Sequence, residues 1–503
     1  MRLSSSPPLS DTTMSVSPRS LSESLAELSR SNSKGSSHSD SSGRSGEATE
    51  LTALVSDSTL LEIGPVLPDG QIKVVGRRFH RRNNRWMTFT SIFSMMFFPL
   101  GAGPAFRYTG WVPGLGMLTY AAISSYLSGH LLGEMCMEGG EGLDSYPKLA
   151  KRAFGNTGEY LIGSVQSVLY FSCGVFNIAF MPANIRQIVD TRLTNVQLMG
   201  ITWIGMAAGS QLPTYHDTFP ICVLSAIIST LNAMLQVIVI LVFQPNLHAE
   251  NETKMFGTLT STLSALPAIS YVFGGHGVFP EEVRELKSPS TFKAVLKMLY
   301  ASAVPVYYLC SVYTYYTYGD TIQGNVLANW PENNWVTRCG AAFCLIGTLV
   351  IAVTSNQATL LAVENALEIY PTVDDEYRKD VRDGTVAMRV SMMERLRKAL
   401  GQVLSFKPFA RMFVRLSFVT LQLIVAIMLR KSPLQYMQGF MGSFGVGCLT
   451  FWAPFLIYLK MNRGLIVHRG KRYALYLFLT TGIFVSFVGM FFSASSLLGE
   501  ANA

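Results

Sequence analysis

From about Met87 to Leu498 the chain alternates long apolar runs with short polar interruptions, and many of the runs are near 20 residues. A helix of that length, rising about 1.5 Å per residue, crosses the roughly 30 Å hydrocarbon core of a bilayer. The pattern predicts eleven spanning helices, at 87–107, 111–135, 160–182, 196–212, 219–243, 257–280, 294–318, 337–366, 411–430, 434–459 and 473–498. The fourth is short, and Gly and Pro interrupt the first and the sixth. The fold class expected is an all-α integral membrane protein.

Outside the apolar runs the polarity pattern divides the chain further. Residues 1–85 read as a cytosolic tail. Its first 50 residues are rich in Ser and lack any sustained apolar period, so they cannot bury enough surface to offset the entropy of ordering and are expected to be disordered. Such a tail is a candidate for phosphoregulation or for binding regulatory proteins. It ends in the basic cluster Lys73–Arg85, KVVGRRFHRRNNR, which marks a cytosolic face and suits anionic lipid headgroups. Asp57–Leu61, DSTLL, comes one residue short of the spacing of an acidic dileucine sorting signal. No apolar signal-peptide core precedes the first span, which keeps the N-terminus cytosolic in this reading. The membrane domain runs from 86 to 498. Within it, residues 371–408 form a cytosolic connector in which Met388–Leu404 has amphipathic spacing, and Ser145–Gly155, SYPKLAKRAFG, reads as a short interfacial helix. Residues 499–503 are expected as a short non-cytosolic C-terminus.

Composition agrees with the spans: 49% of residues are apolar and only 14% charged, against about 25% charged in soluble proteins. The formal charge of +8 does not point to nucleic acid, because the basic residues sit in short clusters at the ends of apolar runs. Lys148, Lys151 and Arg152 follow the second span, and Arg284, Lys287 and Lys293 follow the sixth. Lys460, Arg463, Arg469, Lys471 and Arg472 follow the tenth, while the alternate loops carry few. This asymmetry is the positive-inside pattern and puts the N-terminus inside. Asn251-Glu252-Thr253, a glycosylation sequon, falls in the loop after span five, on the outer side of this topology, which makes Asn251 a candidate acceptor. Of the seven cysteines, Cys173, Cys222, Cys310, Cys344 and Cys448 fall inside spans, so no disulfide framework is expected.

The chemistry concentrates at the two interruptions. The first span contains Pro99-Leu100-Gly101-Ala102-Gly103-Pro104, and the sixth contains Phe273-Gly274-Gly275-His276-Gly277. Five spans apart, the two helices cross in opposite directions. Non-helical backbone at bilayer depth persists only where protein or a cavity satisfies its polar groups. A pair of such breaks in inverted halves points to a midplane binding site, although Gly and Pro also kink ordinary membrane helices. Freed N–H groups at a half-helix N-terminus suit a carboxylate and freed carbonyls suit an ammonium or a cation, so the site suits a zwitterion. His276 is a titratable group deep in the membrane, and so either a proton carrier or a neutral packing residue. Glu281 and Glu282 lie at the cytosolic end of the span, where solvation or a gate salt bridge is expected. Thr354-Ser355-Asn356-Gln357 place polar groups inside span eight, where they can coordinate Na⁺ or hydrogen-bond to neighbouring helices.

YVFGGHGVFPEEVRELKSPSTFKAVLK, from Tyr271, resembles the sixth-helix signature of the amino acid/auxin permease family. AFRYTGW (Ala105–Trp111), YPKLAKRAFG, SQLPTYHDTF and APFLIYLK resemble its other motifs, in family order, over about Thr88–Tyr476. The resemblance implies a fold like the bacterial leucine transporter, a five-plus-five inverted repeat with broken helices 1 and 6 plus an eleventh helix. It further implies secondary amino-acid transport by alternating access, driven by protons or in some branches by Na⁺. By that likeness Leu100, Gly101, Ala102 and Gly103, with Phe273, Gly274, Gly275 and His276, bind the substrate backbone. His276, Thr354, Ser355 and Asn356 are then the ion-coupling candidates. The chain departs from the family where Gly101 and Gly103 fall directly beside Pro104-Ala105-Phe106 instead of several residues earlier, which shifts the register of the first break.

The function expected is proton-coupled symport of amino acids at the plasma membrane or a vacuolar or lysosomal membrane. Alternatives are a Na⁺-coupled or uncoupled carrier and a membrane amino-acid sensor. An enzyme built on His276 lacks a second acid, base or metal ligand at the same depth. No cofactor and no metal are implied, and the partners expected are an amino acid and the lipid bilayer.

Overall fold

The helices lie where the apolar runs do. The computed structural model describes residues 61–66, 72–76, 83–138, 145–189, 191–212, 215–245, 247–367, 369, 406–431, 434–462 and 469–501. The Ser-rich tail to residue 60, nearly all of the sorting-signal-like stretch, the connector at 371–405 and residues 502–503 lie outside the described residues. Within the expected tail, β1 (Leu61–Val66) pairs antiparallel with β2 (Ile72–Gly76), its register shifting between Ile63 and Val66. The reading of 1–85 as a tail did not include this hairpin, which constitutes the described part of its own compact unit.

The second unit is helical. The first span is two helices, α1 (Arg85–Met96) and α2 (Gly103–Thr109), and α3 is Trp111–Glu138. α4 (Tyr146–Ile188) joins the expected interfacial helix to span three across Gly155, whose φ of 69° is one that glycine adopts without a Cβ penalty. Then come α5 (Asn195–Gly209) and α6 (Tyr215–Ile238), which ends in a π-helical turn at Val239–Phe243. The sixth span is also divided, into α7 (Leu259–Tyr271), a 3₁₀ turn at His276–Val278, and α8 (Phe279–Glu285). Next are α9 (Phe292–Tyr318), α10 (Trp335–Ala366) and α11 (Phe406–Met428). The tenth run holds α12 (Leu434–Met441), π-helical Gly442–Trp452 and α13 (Ala453–Met461), and α14 (Arg469–Ala501) closes the chain. Among the described residues seven helices are long and apolar enough to cross a bilayer. The two divided spans are absent from that set because each is broken near its middle.

Two features suit a lipid environment for the outer faces. On α6, Leu224, Ile227, Leu231, Met234 and Ile238 recur every three or four residues as an exposed apolar stripe. α14 exposes Leu477, Phe484, Phe487 and Phe491. In water such a surface would be a liability; in hydrocarbon it is matched by its solvent.

The two divided spans run antiparallel and are pinned together at both ends. Where α1 begins, the Asn83 N–H donates to Glu285 O (3.0 Å) and the Lys287 N–H to Asn83 O (2.8 Å). We call this the near face. At the opposite, far face, the Gly257 N–H donates to Thr109 O (2.8 Å) and Ser261 Oγ to Tyr108 O (2.9 Å). Residues 251–257 seal that face further: Trp111 and Val112 donate N–H groups to Lys254 O and Met255 O, and Asp320 donates its own to Glu252 O. Lys254 also pairs with the Asp320 carboxylate, whose hydrogen bond and charge hold the ammonium above its ordinary pKa. Asn251 Nδ2 donates to Leu247 O and Thr317 O, both at 3.0 Å, and its Oδ1 accepts from Thr321. A glycan on that nitrogen would leave it one proton for two carbonyls, so the sequon asparagine acts here as a clamp between loop and α9.

Candidate substrate site at the two helix breaks

The first break spans 97–102, starting three residues before and ending one before the expected Leu100–Gly103. Pro99 lacks an N–H and cannot continue the ladder of α1, while Pro104 sits in the first turn of α2, where its missing N–H costs nothing. Gly103 is therefore helical, and it packs on Thr314 of α9. Within the break the chain makes a tight turn, Gly101 N–H to Phe98 O at 3.1 Å. The second break spans 272–275 and matches expectation closely, with turns Phe273 N–H to Ser270 O and Gly274 N–H to Tyr271 O.

Side chains from other helices tie the two breaks to each other. Tyr307 of α9 is fully buried, and its hydroxyl lies 2.7 Å from Met96 O and 3.0 Å from Val272 O. A hydroxyl has one proton, so at any moment one of these carbonyls keeps its acceptor capacity. An aromatic file, Phe89 and Phe93 on α1 and Phe97 at its end, continues onto the Tyr307 ring and fixes it. Toward the far face, Gln438 of α12 donates through Nε2 to Gly101 O (3.1 Å) and Ala268 O (3.4 Å).

A small cavity of about 30 Å³ sits against both breaks. Its walls come from Met95, Met96 and Phe98 of the first divided span and from Tyr271, Val272 and Gly274 of the second. On α4, Tyr170, Cys173, Phe176 and Asn177 contribute one face at helical spacing, and on α10 Thr348, Ile351 and Ser355 do the same. Val446 of the π-helical segment closes it. The volume is room for a water or two, so this is a closed state from which helices must part before anything larger enters. Beyond Gly101 toward the far face lies a larger space of about 330 Å³, lined by Tyr108, Thr258, Ser261, Ser264 and Tyr436 among others. Gln438 and Gly101 border it, which makes them the partition next to the first break.

The expected site residues divide. Gly274 lines the central cavity, and Leu100 and Gly101 line the adjoining spaces. Ala102 is buried in the packing, Phe273 stacks on Tyr300 and meets Tyr307, and a methyl at Gly275 would meet Phe279 and Met96. His276 turns away from the cavity. Its Nε2 sits 2.7 Å from Ser125 O of α3, and its ring lies 4.4 Å from that of Phe279. Of the ion-coupling candidates, Ser355 lines the cavity. Thr354 Oγ1 is spent on Val350 O (2.8 Å), and Asn356 exchanges hydrogen bonds with Gln422 of α11.

Glu281 and Glu282 are the clearest departure from expectation. They are not solvated at a helix end but buried, 7% and 1% exposed, because α3, α1 and α4 close over α8. Gln166 of α4 donates through Nε2 to Gly277 O (2.7 Å) and Glu281 Oε1 (3.2 Å). Sequence reasoning also missed the α4 face and Tyr307. The three- and four-residue recurrence of Tyr170, Cys173 and Asn177 was a signal for one shared face, but not for which face it was.

Residues 84–498 match the family model described as transmembrane amino acid transporter protein. Among curated relatives, amino acid transporter AVT1E of Arabidopsis thaliana is 28% identical over 242 residues, which cover 46% of this chain and 44% of the relative. Amino acid transporter AVT1C of the same plant is 24% identical over 279 residues, 52% of this chain and 47% of the relative. The chain thus spans about half the length of the curated relatives it matches. Among solved structures, the substrate-bound outward-open state of a Na⁺-coupled sialic acid symporter superposes with a TM-score of 0.43 at 12% identity, covering 82% of this chain and 90% of that one.

Proposed function

Because the chain belongs to the transmembrane amino acid transporter family, whose members are carriers and not enzymes, we propose that it moves amino acids across a membrane by alternating access, coupled to protons. The observation that carries this reading is the pair of antiparallel divided helices, joined by Tyr307 and enclosing a cavity at their breaks. The carbonyl that Tyr307 leaves unserved suits an ammonium group, and the break N–H groups suit a carboxylate. The near face is the cytosolic one in this reading, and the far face opens to the outside or to an organelle lumen. With both faces pinned shut, transport consists of breaking the near pins and the far pins in alternation.

The expected result is that uptake of tritiated amino acids, measured with the far face outermost, rises as the outer pH falls and collapses with a protonophore, with Na⁺ replaced by choline at no loss. Uptake that follows Na⁺ and ignores both manipulations overturns proton coupling. A Na⁺-driven carrier is the second reading, favoured by the Thr348 and Ser355 hydroxyls on the cavity wall.

A further inference from the structure

The near end of the second divided span holds three carboxylates that the transport reading does not use. Glu281, Glu282 and Glu285 occupy the seven-residue helix α8, and none is more than 7% exposed. Among the described residues the charged groups that face Glu282 are Glu281, Glu285 and Arg284 of its own helix; α3, which packs along α8, adds none. Arg284 lies 3.7 Å from Glu285, with which it pairs. From α1, Ser91 Oγ donates to Glu282 Oε1 (2.5 Å); from α6, Cys222 approaches with its thiol; from α4, Gln166 reaches Glu281 instead. Glu282 Oε2 is buried and has no hydrogen-bond partner among the described residues.

We propose that Glu282 takes up and releases the coupled proton, an inference that rests on the proton-coupled reading above. With its burial, one hydroxyl donor, and two acidic neighbours against a single arginine that pairs with Glu285, an ionised Glu282 is disfavoured while the near face is shut. A proton on Oε2 removes the charge at the cost of one unshared O–H. Shutting the near face, which brings Ser91 onto Glu282 and Asn83 onto Glu285 and Lys287, therefore requires a proton. When α1 swings away from α8, water reaches the carboxyl, and the proton leaves to near-face water as hydronium. The carboxylate left behind holds the face open until a proton reaches it from the far side; a proton returned by near-face water instead resets the face without net coupling. Water bridging from the Tyr170 hydroxyl, which lies on the cavity wall and against Gly277, would carry that proton, while Gln166, an amide that relays no proton, holds Gly277 O and Glu281 in place.

The test uses the full-length protein in liposomes, with two assays of mixed tritiated amino acids: uptake driven by an imposed pH gradient, and counterflow exchange at equal pH on both sides. For Glu282→Gln the expected result is loss of gradient-driven uptake to the level of protein-free vesicles, while counterflow persists and no longer varies with pH. Gradient-driven uptake by Glu282→Gln with the wild-type pH profile overturns the proposal. If Glu282→Gln also loses counterflow, Glu282→Asp decides: driven uptake recovered with a displaced pH midpoint supports a proton on this side chain, and no recovery in a protein that elutes as a monodisperse peak overturns it. A wild-type protein that exchanges amino acids but follows a Na⁺ gradient overturns coupling by protons. One that exchanges none overturns the transport reading itself.

Discussion

Gly274→Leu is expected to abolish amino-acid uptake while leaving the protein in the membrane at wild-type abundance. Gly274 lies on the wall of the central cavity, and even a methyl there would sit 2.7 Å from Val446 Cγ2 and 2.9 Å from Tyr271 O. Overpacking a filled site costs about 1–3 kcal/mol, and if the bound state has to meet that cost, at about 1.4 kcal/mol per tenfold, affinity falls about five- to 140-fold. The leucine side chain then also occupies the space into which a substrate would fit, so both terms act in one direction. The check is initial uptake rate against surface biotinylation. A variant with normal surface level and normal uptake would place the site elsewhere.

Glu364→Ala is expected to be the most destabilising substitution outside the site. Glu364 of α10 is fully buried and pairs with Arg415 and with Arg411 (3.2 Å) of α11. Arg415 is itself 1% exposed, and its Nη1 also donates to Ser210 O and Leu212 O, just past the end of α5. One carboxylate thus anchors three helices at the near face. Its removal leaves a buried guanidinium without a counter-charge, a loss of about 3–5 kcal/mol. Heating the purified protein in detergent should show a large fall in unfolding temperature. The paired replacement Glu364→Leu with Arg415→Met should recover most of it, since an apolar pair of similar size removes the uncompensated charge. A single variant as stable as wild type would mean that the pair contributes nothing.

The two divided spans were legible because Gly and Pro stand out within apolar runs: Pro99 to Pro104 and Gly274 to Gly277 announce themselves. Their antiparallel pinning was not legible, since it rests on pairs such as Asn83 with Glu285, which lie 202 residues apart. The direction of His276 was not legible either. A side chain in a break has no helical register from which its facing can be read, and here it meets Ser125 of α3. The acids of α8 misled for a general reason: a charged residue near the end of a span normally reaches water. Whether it does depends on what covers it, and α3, α1 and α4 cover these. Tyr170, Cys173 and Asn177 line a cavity with residue types that serve equally well against lipid or a neighbouring helix. The π-helical run Gly442–Trp452 left no apolar signature, because a change in winding does not alter composition.

Cys173 supplies the most direct test of where substrate sits. Its thiol is on the cavity wall, and a variant with the half-buried Cys136 and Cys339 replaced by alanine leaves only buried thiols, of which Cys173 is the one that lines this cavity. The rate of its modification by a small methanethiosulfonate reagent should fall about elevenfold when a transported amino acid is present at about ten times its Kd, since occupancy scales the free fraction by 1 + [L]/Kd. A modification rate unchanged by saturating amino acid, in protein that still transports it, would contradict a substrate site at the two helix breaks.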